Sequence, residues 1–527
     1  MLVDLKTAVV LLSVLGLSAC KPSAHHADDL PRVETEQGLV QGVRVDDIFV
    51  FKGIPYAAAP VGALRWRSPR APQSWSGVRD ASTFGPPCPT IDGARMHEGK
   101  QLSGAYDIFI DTPMVDGASE DCLHLNVWAP VHAKDAPVMV WIQPLGSASH
   151  PVFDGAAFAR DGVVLVTMDY RQLTLGNFAH PALTKQVPAD EPLGRFQTMD
   201  QIAALRWVNQ NIASFGGDPR NVTVFGQSAG GAATLQLLTI PETRGLIAKA
   251  IVQSGNGWWS PFTQEQMERV GVWVAQQAGL PGRQATPDQL RALAPESFAQ
   301  LGIYSIDGRM QRESATTAIE AGKMADVPLL IGWTDFDGSS LRRTSASAYA
   351  EEADEAVRAA YETEHKSGEA LGYQMYTDNH AAAPARWIAS KAQDGAPAYL
   401  YVFSYVRTAQ RGTRPGAAHG EDIPFVFGTW DSAYPEAQLS DEDRAAARSI
   451  RSCWVSFART GKPACDGAPE WPRYTRSTDQ LMELGTEFVV RQNYRRRQLD
   501  AQEAAMQSTI EKASQSVERL LREMAAE

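Results

Sequence analysis

The sequence has few cysteines and no excess of basic residues. Only five of its 527 residues are cysteine, which excludes a small disulfide-rich scaffold. Acidic residues outnumber basic ones by 61 to 49, giving a formal charge of -12, and this balance argues against a nucleic-acid-binding protein. No apolar run beyond the N-terminus approaches the roughly 20 residues of a membrane-spanning helix. With 44% hydrophobic and 21% charged residues, the composition is that of a globular protein with a large core.

The N-terminus has the pattern of a secretory signal. The apolar run from Ala8 to Leu17 follows a lysine and is too short to span a bilayer. The ending Leu17–Ser18–Ala19–Cys20 resembles the lipobox of bacterial lipoproteins, in which the cysteine is acylated after cleavage. We therefore expect a signal peptide over 1–19, a flexible tether over 20–32, and a lipid at Cys20 as the only membrane attachment. These features predict that the chain is an exported lipoprotein of the outer membrane or periplasm. The alternative is a plain signal peptide with a coincidental cysteine.

Four cysteines remain after such processing. Export implies an oxidising compartment, where an even number of cysteines usually forms disulfides. Four cysteines allow three pairings, and the sequence alone does not choose among them. The pairing that closes the shorter loops is Cys88–Cys122 with Cys453–Cys465, and it is the one we expect.

The body of the chain alternates strand-like and helix-like segments. Val138–Ile142, Val163–Met168 and Val222–Phe225 are short apolar runs rich in β-branched residues, typical of buried strands. Thr198–Ile212 carries apolar residues at helical spacing. The alternation predicts an α/β protein with a mostly parallel sheet covered on both faces. Without repeats or internal linkers, a single large domain is favoured, and we place it at 33–490.

The motif Gly226–Gln227–Ser228–Ala229–Gly230 lies between the last of these strands and a helical segment. A bare G-x-S-x-G is weak evidence, but a strand before it and a helix after it are the context of a nucleophile elbow. The helix N-terminus there offers free N–H groups to an anion. The alternative is a glycine-rich turn with a structural serine.

A nucleophilic serine needs a histidine base and a carboxylate that orients it. In enzymes with such an elbow the chain order is Ser, acid, His, and this order reduces the ten histidines to the three that follow the serine. His365 and His380 lie in charged or polar stretches and are expected to be solvated, whereas His419 lies among small residues in Gly416–Gly420. For the acid, Asp337 follows a strand-like run, and Asp335 is its rival in the same loop.

Several segments resemble the type-B carboxylesterase (carboxylesterase/cholinesterase) family, over roughly residues 33–485. The residues that carry the resemblance are Phe215 to Gly230 (FGGDPRNVTVFGQSAG), Glu120 to Val127 (EDCLHLNV), Phe51 to Tyr56, Tyr170–Arg171, and His419 to Phe425 (HGEDIPF).

The resemblance implies an α/β-hydrolase fold, ester hydrolysis without metal or cofactor, and the pairing Cys88–Cys122. By motif position it implies Ser228 as nucleophile, His419 as base and Asp337 as acid. The family more often has Glu at the acid position, so the shorter Asp requires a loop that sits closer to the histidine.

A second departure concerns the oxyanion hole. Where the family has His-Gly-Gly-Gly, this chain has Gln143–Pro144–Leu145–Gly146, and proline has no N–H group. The donors by position are the N–H groups of Leu145, Gly146 and Ala229. Leu145 cannot cheaply adopt the positive φ that glycine permits, so we expect a remodelled hole.

Other segments allow two interpretations each. Trp258 and Trp259, together with Gln143, could line a substrate pocket, with core packing as the alternative for the tryptophans. The segment 491–527 has apolar residues at heptad-like spacing and predicts a C-terminal helix. It packs on the protein's own body in one interpretation and forms an oligomer in the other.

The leading hypothesis is a serine carboxylesterase that acts on a small-molecule ester through an acyl-enzyme. The rival is a cholinesterase-like binding protein with weak or no turnover, supported only by the altered glycine stretch.

Overall fold

A computed structural model describes residues 30–91, 100–102, 107–110, 114–255, 258, 260–341, 343–364, 367–430 and 435–526. The signal peptide predicted for 1–19, Cys20 and the tether up to residue 29 lie outside the described residues, as do Trp259 and His365. Among the described residues, none of the helices combines the length and the apolar character needed to cross a membrane.

The described residues contain seventeen strands. They are β1 Arg32–Thr35, β2 Gly38–Gln41, β3 Val43–Val45, β4 Ile48–Pro55, β5 Val78–Asp80, β6 Lys100–Leu102, β7 Asp107–Ile110, β8 His124–Pro130, β9 Ala136–Ile142, β10 Val164–Met168, β11 Gly217–Gln227, β12 Lys249–Gln253, β13 Gln300–Gly302, β14 Leu329–Thr334, β15 Ala398–Phe403, β16 Gln480–Leu484 and β17 Phe488–Gln492.

Eleven of these strands form one sheet. Its order is β17-β16-β15-β14-β12-β11-β9-β10-β8-β4-β3. The strands from β16 to β10 pair in parallel, whereas β17 at one edge and β8, β4 and β3 at the other pair antiparallel. The prediction of a large, mostly parallel sheet is confirmed.

Sixteen α-helices accompany the strands in the described part of the chain. They are α1 Ala156–Arg160, α2 Leu173–Gly176, α3 Pro181–Thr184, α4 Phe196–Asn211, α5 Ala229–Thr239, α6 Gln264–Gln277, α7 Pro287–Arg291, α8 Ala315–Glu320, α9 Arg343–Glu351, α10 Glu355–Tyr361, α11 Gly368–Thr377, α12 Ala383–Lys391, α13 Ile423–Phe427, α14 Asp441–Thr460, α15 Arg496–Ala504 and α16 Met506–Ala526.

The two faces of the sheet belong to two different hydrophobic clusters. In β9, Val138, Val140 and Ile142 pack into the larger cluster, while Met139 and Trp141 pack into the second. Because side chains alternate across a strand, an apolar run without polar alternation means that both faces are covered. Helix α4 packs into the larger cluster and α14 into the second, which places helices on both sides of the sheet.

The C-terminal segment differs in detail from the single helix predicted for 491–527. Strand β17 continues to Gln492, and two helices follow, α15 and α16. The apolar side chains Val517, Leu520, Leu521 and Met524 of α16 are buried in the larger core cluster. The helix therefore packs on the protein's own body through the face that the heptad-like spacing marks.

Both expected disulfides are present. Cys88 is bonded to Cys122, and Cys453 to Cys465. The pairing that closes the shorter loops is thus confirmed.

Candidate active site

The Gly226–Gly230 motif forms a sharp turn between β11 and α5. Ser228 adopts a positive φ of 55°, which is strained for a residue with a side chain. A Cβ on Gly226 would lie 2.5 Å from the backbone of Gly230, and one on Gly230 would lie 1.9 Å from the carbonyl oxygen of Ile142. Both glycines are therefore required by close backbone contact, as a nucleophile elbow demands.

The elbow is fixed to the neighbouring strand. The N–H of Ser228 donates to the carbonyl oxygen of Gln253 at the end of β12, at 2.9 Å. Ala229 is the first residue of α5, so its own N–H has no acceptor within the helix. The serine thus stands at the C-terminal edge of the parallel strands, beside an available backbone donor.

Asp337 and His419 meet near the same edge of the sheet. Asp337 follows β14, is buried, and accepts a hydrogen bond from the N–H of Thr334 at 3.2 Å. Its Oδ1 contacts Nδ1 of His419. The N–H of His419 donates to Oγ of Ser339 at 2.8 Å, so both the ring and the backbone of the histidine are held by the loop that follows β14.

The rival carboxylate, Asp335, has a different contact. Its Oδ1 accepts the N–H of Ala417 at 2.7 Å, and a Cβ on Gly416 would lie 2.6 Å from the same oxygen. Burial raises the pKa of Asp335 to about 7. Asp335 therefore holds the backbone of the loop that carries His419, whereas Asp337 contacts the His419 ring.

The far side of the His419 ring faces the elbow. Its Nε2 lies 3.2 Å from Nε2 of Gln227, the residue before Ser228. With the Nδ1 proton directed to Asp337, Nε2 is the acceptor and the Gln227 amide donates to it. No local sequence pattern predicts this role for Gln227, because side chains that flank an elbow cannot be placed without the fold.

A second buried carboxylate lies close to the ring. Asp422 accepts a hydrogen bond from Nε2 of Gln253 at 2.7 Å, and burial raises its pKa to about 6. Burial alone would lower the pKa of His419, but the charges of Asp337 and then Asp422 outweigh it and raise the pKa above 6.5. The surroundings of the ring therefore favour the imidazolium that forms when a base accepts a proton.

His380 is half-buried, whereas the sequence suggested a solvated residue. It lies in a π-helical turn, Asp378–Ala382, and stacks on Tyr376 with a centroid distance of 3.8 Å. Burial lowers its pKa to about 4, so the ring is neutral at pH 7. The polar residues around it misled the prediction because several of them are themselves buried against the C-terminal helices.

The loop that follows β9 contains two of the three expected oxyanion donors. Gly146, not Leu145, carries the positive φ in this loop, at 109°, so the strain expected at Leu145 does not arise. The side chain of Leu145 packs against Ile91 and Leu173. The N–H of Gly146 donates to Oε1 of Gln172 at 3.1 Å, so it is already engaged within the protein.

Two of the residues proposed for a substrate pocket, Gln143 and Trp258, are buried. Gln143 has no exposed surface, and its carbonyl oxygen accepts a hydrogen bond from the Tyr170 hydroxyl at 2.5 Å. Trp258 is 6% exposed and belongs to the larger core cluster, in agreement with the packing interpretation. Within the described residues, no group of three or more His, Cys, Asp or Glu side chains is arranged to hold a metal ion.

Comparison with known proteins agrees with this geometry. A model described as the carboxylesterase family matches residues 29–366 and 340–502. The para-nitrobenzyl esterase of Bacillus subtilis (strain 168) is 33% identical over 494 residues, covering 87% of this chain and 95% of that protein. The fumonisin B1 esterase of Sphingopyxis macrogoltabida is 32% identical over 522 residues, with 91% of each covered.

The fold is shared as well. A solved structure titled PNB esterase superimposes with a TM-score of 0.74 at 29% identity, covering 89% of this chain and 99% of its own. An elbow serine, a buried carboxylate–histidine pair and these similarities agree: the chain belongs to the carboxylesterase family, has the α/β-hydrolase fold, and is a carboxylic ester hydrolase.

Proposed function

We propose that the protein hydrolyses carboxylic esters through an acyl-enzyme formed on Ser228, with His419 as the base and Asp337 as the group that orients it. The observation that carries the proposal is the contact of Asp337 with Nδ1 of His419, while Nε2 of the same ring faces the elbow. No metal or cofactor takes part in this mechanism.

In the first half of the reaction, the Gln227 amide releases Nε2 of His419. This nitrogen then accepts the proton of the Ser228 hydroxyl as Oγ attacks the ester carbonyl. The carbonyl oxygen becomes an oxyanion, which backbone N–H groups near the elbow stabilise. The imidazolium then gives its proton to the departing alcohol, and the acyl group stays on Ser228 as an ester.

In the second half, His419 removes a proton from a water molecule that attacks the acyl-enzyme. The tetrahedral intermediate collapses, Ser228 regains its proton from the ring, and the carboxylic acid leaves. Asp337 stays ionised throughout and stabilises the imidazolium in both halves.

The test compares wild type with Ser228→Ala in the release of p-nitrophenol from p-nitrophenyl acetate and butyrate. Ser297→Ala, which alters an exposed serine whose hydroxyl only bonds the carbonyl of Ala294, serves as the matched control. We expect Ser228→Ala to lose at least ~10³-fold in rate and Ser297→Ala to match wild type. Equal rates in wild type and Ser228→Ala would reject the proposal.

The rival function makes a different prediction in the same assay. A cholinesterase-like binding protein would release p-nitrophenol no faster than buffer, and Ser228→Ala would change nothing.

We also propose that the chain is exported and anchored by a lipid at Cys20. The support is the sequence of the N-terminus. Metabolic labelling with an alkyne-tagged fatty acid tests it: wild type should carry the label and partition with outer membranes, and Cys20→Ala should lose the label. Absence of label on the wild-type protein would reject lipidation at Cys20 and favour a plain signal peptide.

A further inference from the structure

The loop that follows β9 has two kinds of backbone N–H group. In 145–149, Gly146 donates to the Gln172 side chain, Ala148 to Asp169 at 3.0 Å, and Ser149 to Oγ of Ser147 at 3.1 Å. Within the described residues, the N–H groups of Leu145 and Ser147 have no hydrogen-bond partner in the protein. Of the two positions taken as oxyanion donors in this loop, Leu145 is the one whose N–H has no partner among the residues that the structure describes.

The Gln172 side chain is bonded to Gly146 in both directions. Its Oε1 accepts the N–H of Gly146, and its Nε2 donates to the carbonyl oxygen of Gly146 at 2.6 Å. Oε1 also accepts the hydroxyl of Thr90 at 3.2 Å. Gln172 is 2% exposed, so these bonds are shielded from water and fix the orientation of the amide.

The backbone that carries Gln172 is itself held rigidly. The preceding residue, Arg171, forms a buried ion pair with Asp200, with Nε and Nη2 at 2.8 and 2.7 Å from its two oxygens. Three residues before Gln172, Asp169 accepts the N–H of Ala148. The segment 169–172 thus holds the loop at two points, on either side of Ser147.

The same loop lies directly against the elbow. A Cβ on Gly230 would lie 1.9 Å from the carbonyl oxygen of Ile142 and 3.0 Å from that of Gln143, so α5 touches the start of the loop. Leu145 stands between Gln143 and Gly146 in this short loop, so a rotation of the Gly146 peptide would also turn the backbone of Leu145. An amide that fixes Gly146 therefore also restrains the N–H of Leu145.

We propose that Gln172 is a positioning residue for the oxyanion hole. It holds the Gly146 peptide with its N–H turned into the protein, so that the hole uses the N–H groups of Leu145 and Ala229 rather than three donors. This inference rests on the proposed function, because it needs an oxyanion formed by attack of Ser228.

The test uses Gln172→Leu, which keeps the approximate size but removes all three hydrogen bonds, and Gln172→Glu, which keeps the acceptor but removes the donor. The matched control is Gln300→Leu, because Gln300 is also a buried glutamine and its Nε2 also holds a backbone carbonyl, that of Pro295 at 2.9 Å. The measurements are kcat and KM for p-nitrophenyl butyrate, the melting temperature, and Ki for an aliphatic trifluoromethyl ketone, which forms an oxyanion on the serine.

We expect Gln172→Leu to lower kcat by about 10²-fold while KM changes less than about threefold, since the lost interaction exists only in the transition state. Binding of the trifluoromethyl ketone should weaken by a similar factor. Gln172→Glu should be intermediate, and Gln300→Leu should keep kcat even where its melting temperature falls.

Three results would overturn the inference. They are an unchanged kcat in Gln172→Leu, a loss of kcat without weaker ketone binding, and a loss matched by Gln300→Leu at the same fall in melting temperature. Failure of the proposed function itself is seen separately, as activity that persists in Ser228→Ala.

Discussion

Replacing Gly230 by alanine should remove most of the activity through displacement of the elbow. The added Cβ would lie 1.9 Å from the carbonyl oxygen of Ile142, about 1.5 Å inside the 3.4 Å at which ordinary contact begins. Neither atom belongs to a flexible side chain, so helix α5 and the end of β9 must separate. A misplacement of about 1 Å at a catalytic centre costs roughly 10²-fold in rate. We therefore expect kcat/KM for p-nitrophenyl butyrate to fall at least about 100-fold.

The control is Gly279→Ala, at a glycine with φ +78° and nothing within 4 Å of the added Cβ. This variant carries only backbone strain of about 1–2 kcal/mol, so its melting temperature should fall while its kcat/KM stays near that of wild type. Activity of Gly230→Ala within about threefold of wild type would refute the reasoning, because it would mean that the elbow can absorb the clash without moving Ser228.

Three further predictions concern the acid, a disulfide and the C-terminal helices. Because the base must be neutral, a pH–rate profile should show kcat/KM rising with pH through an inflection above 6.5 that reports the pKa of His419. In Asp337→Asn the inflection should move to lower pH, and the rate should fall by about 10⁴-fold. An inflection at the same pH in both proteins would contradict the assignment of Asp337. Replacing Cys453 and Cys465 together by alanine should lower the free energy of unfolding by about 3 kcal/mol in urea titrations, since the closed loop spans 12 residues, and no change would contradict the loop-entropy argument. Arg386→Met should cost about 3–5 kcal/mol by the same titration, because the buried guanidinium pairs with three carboxylates. Without it, the buried carboxylate of Asp479 would lose its cation and keep, among the described residues, only the hydrogen bond from the Tyr474 hydroxyl. A variant as stable as wild type would show that this carboxylate does not need the cation.

The sequence predicted the sheet and the elbow because these depend on local patterns. Uninterrupted apolar runs such as Val138–Ile142 indicate strands covered on both faces, and the two glycines around Ser228 indicate a turn between strand and helix. The structure shows why the motif needs both glycines: the backbone atoms that contact Gly226 and Gly230 lie too close to leave room for a Cβ.

The surroundings of the ring and the oxyanion loop could not be predicted in the same way. Asp422 acts on His419 through its charge and Gln227 through a direct contact, and only the packed loops bring these groups to the ring. Gln172 reaches Gly146 across 26 residues, and nothing in either local sequence marks the pair. For the same reason the strain expected at Leu145 was wrong: the loop takes its positive φ at Gly146 instead.

The central claim is that Ser228 is the nucleophile of an ester hydrolase. It is tested most directly by treating the protein with diethyl p-nitrophenyl phosphate and locating the phosphoryl adduct by peptide mass spectrometry. The account predicts one adduct per chain on the peptide that contains Ser228, loss of activity in step with labelling, and much slower labelling in His419→Ala. An adduct on another residue, or equal labelling and activity in Ser228→Ala, would contradict it.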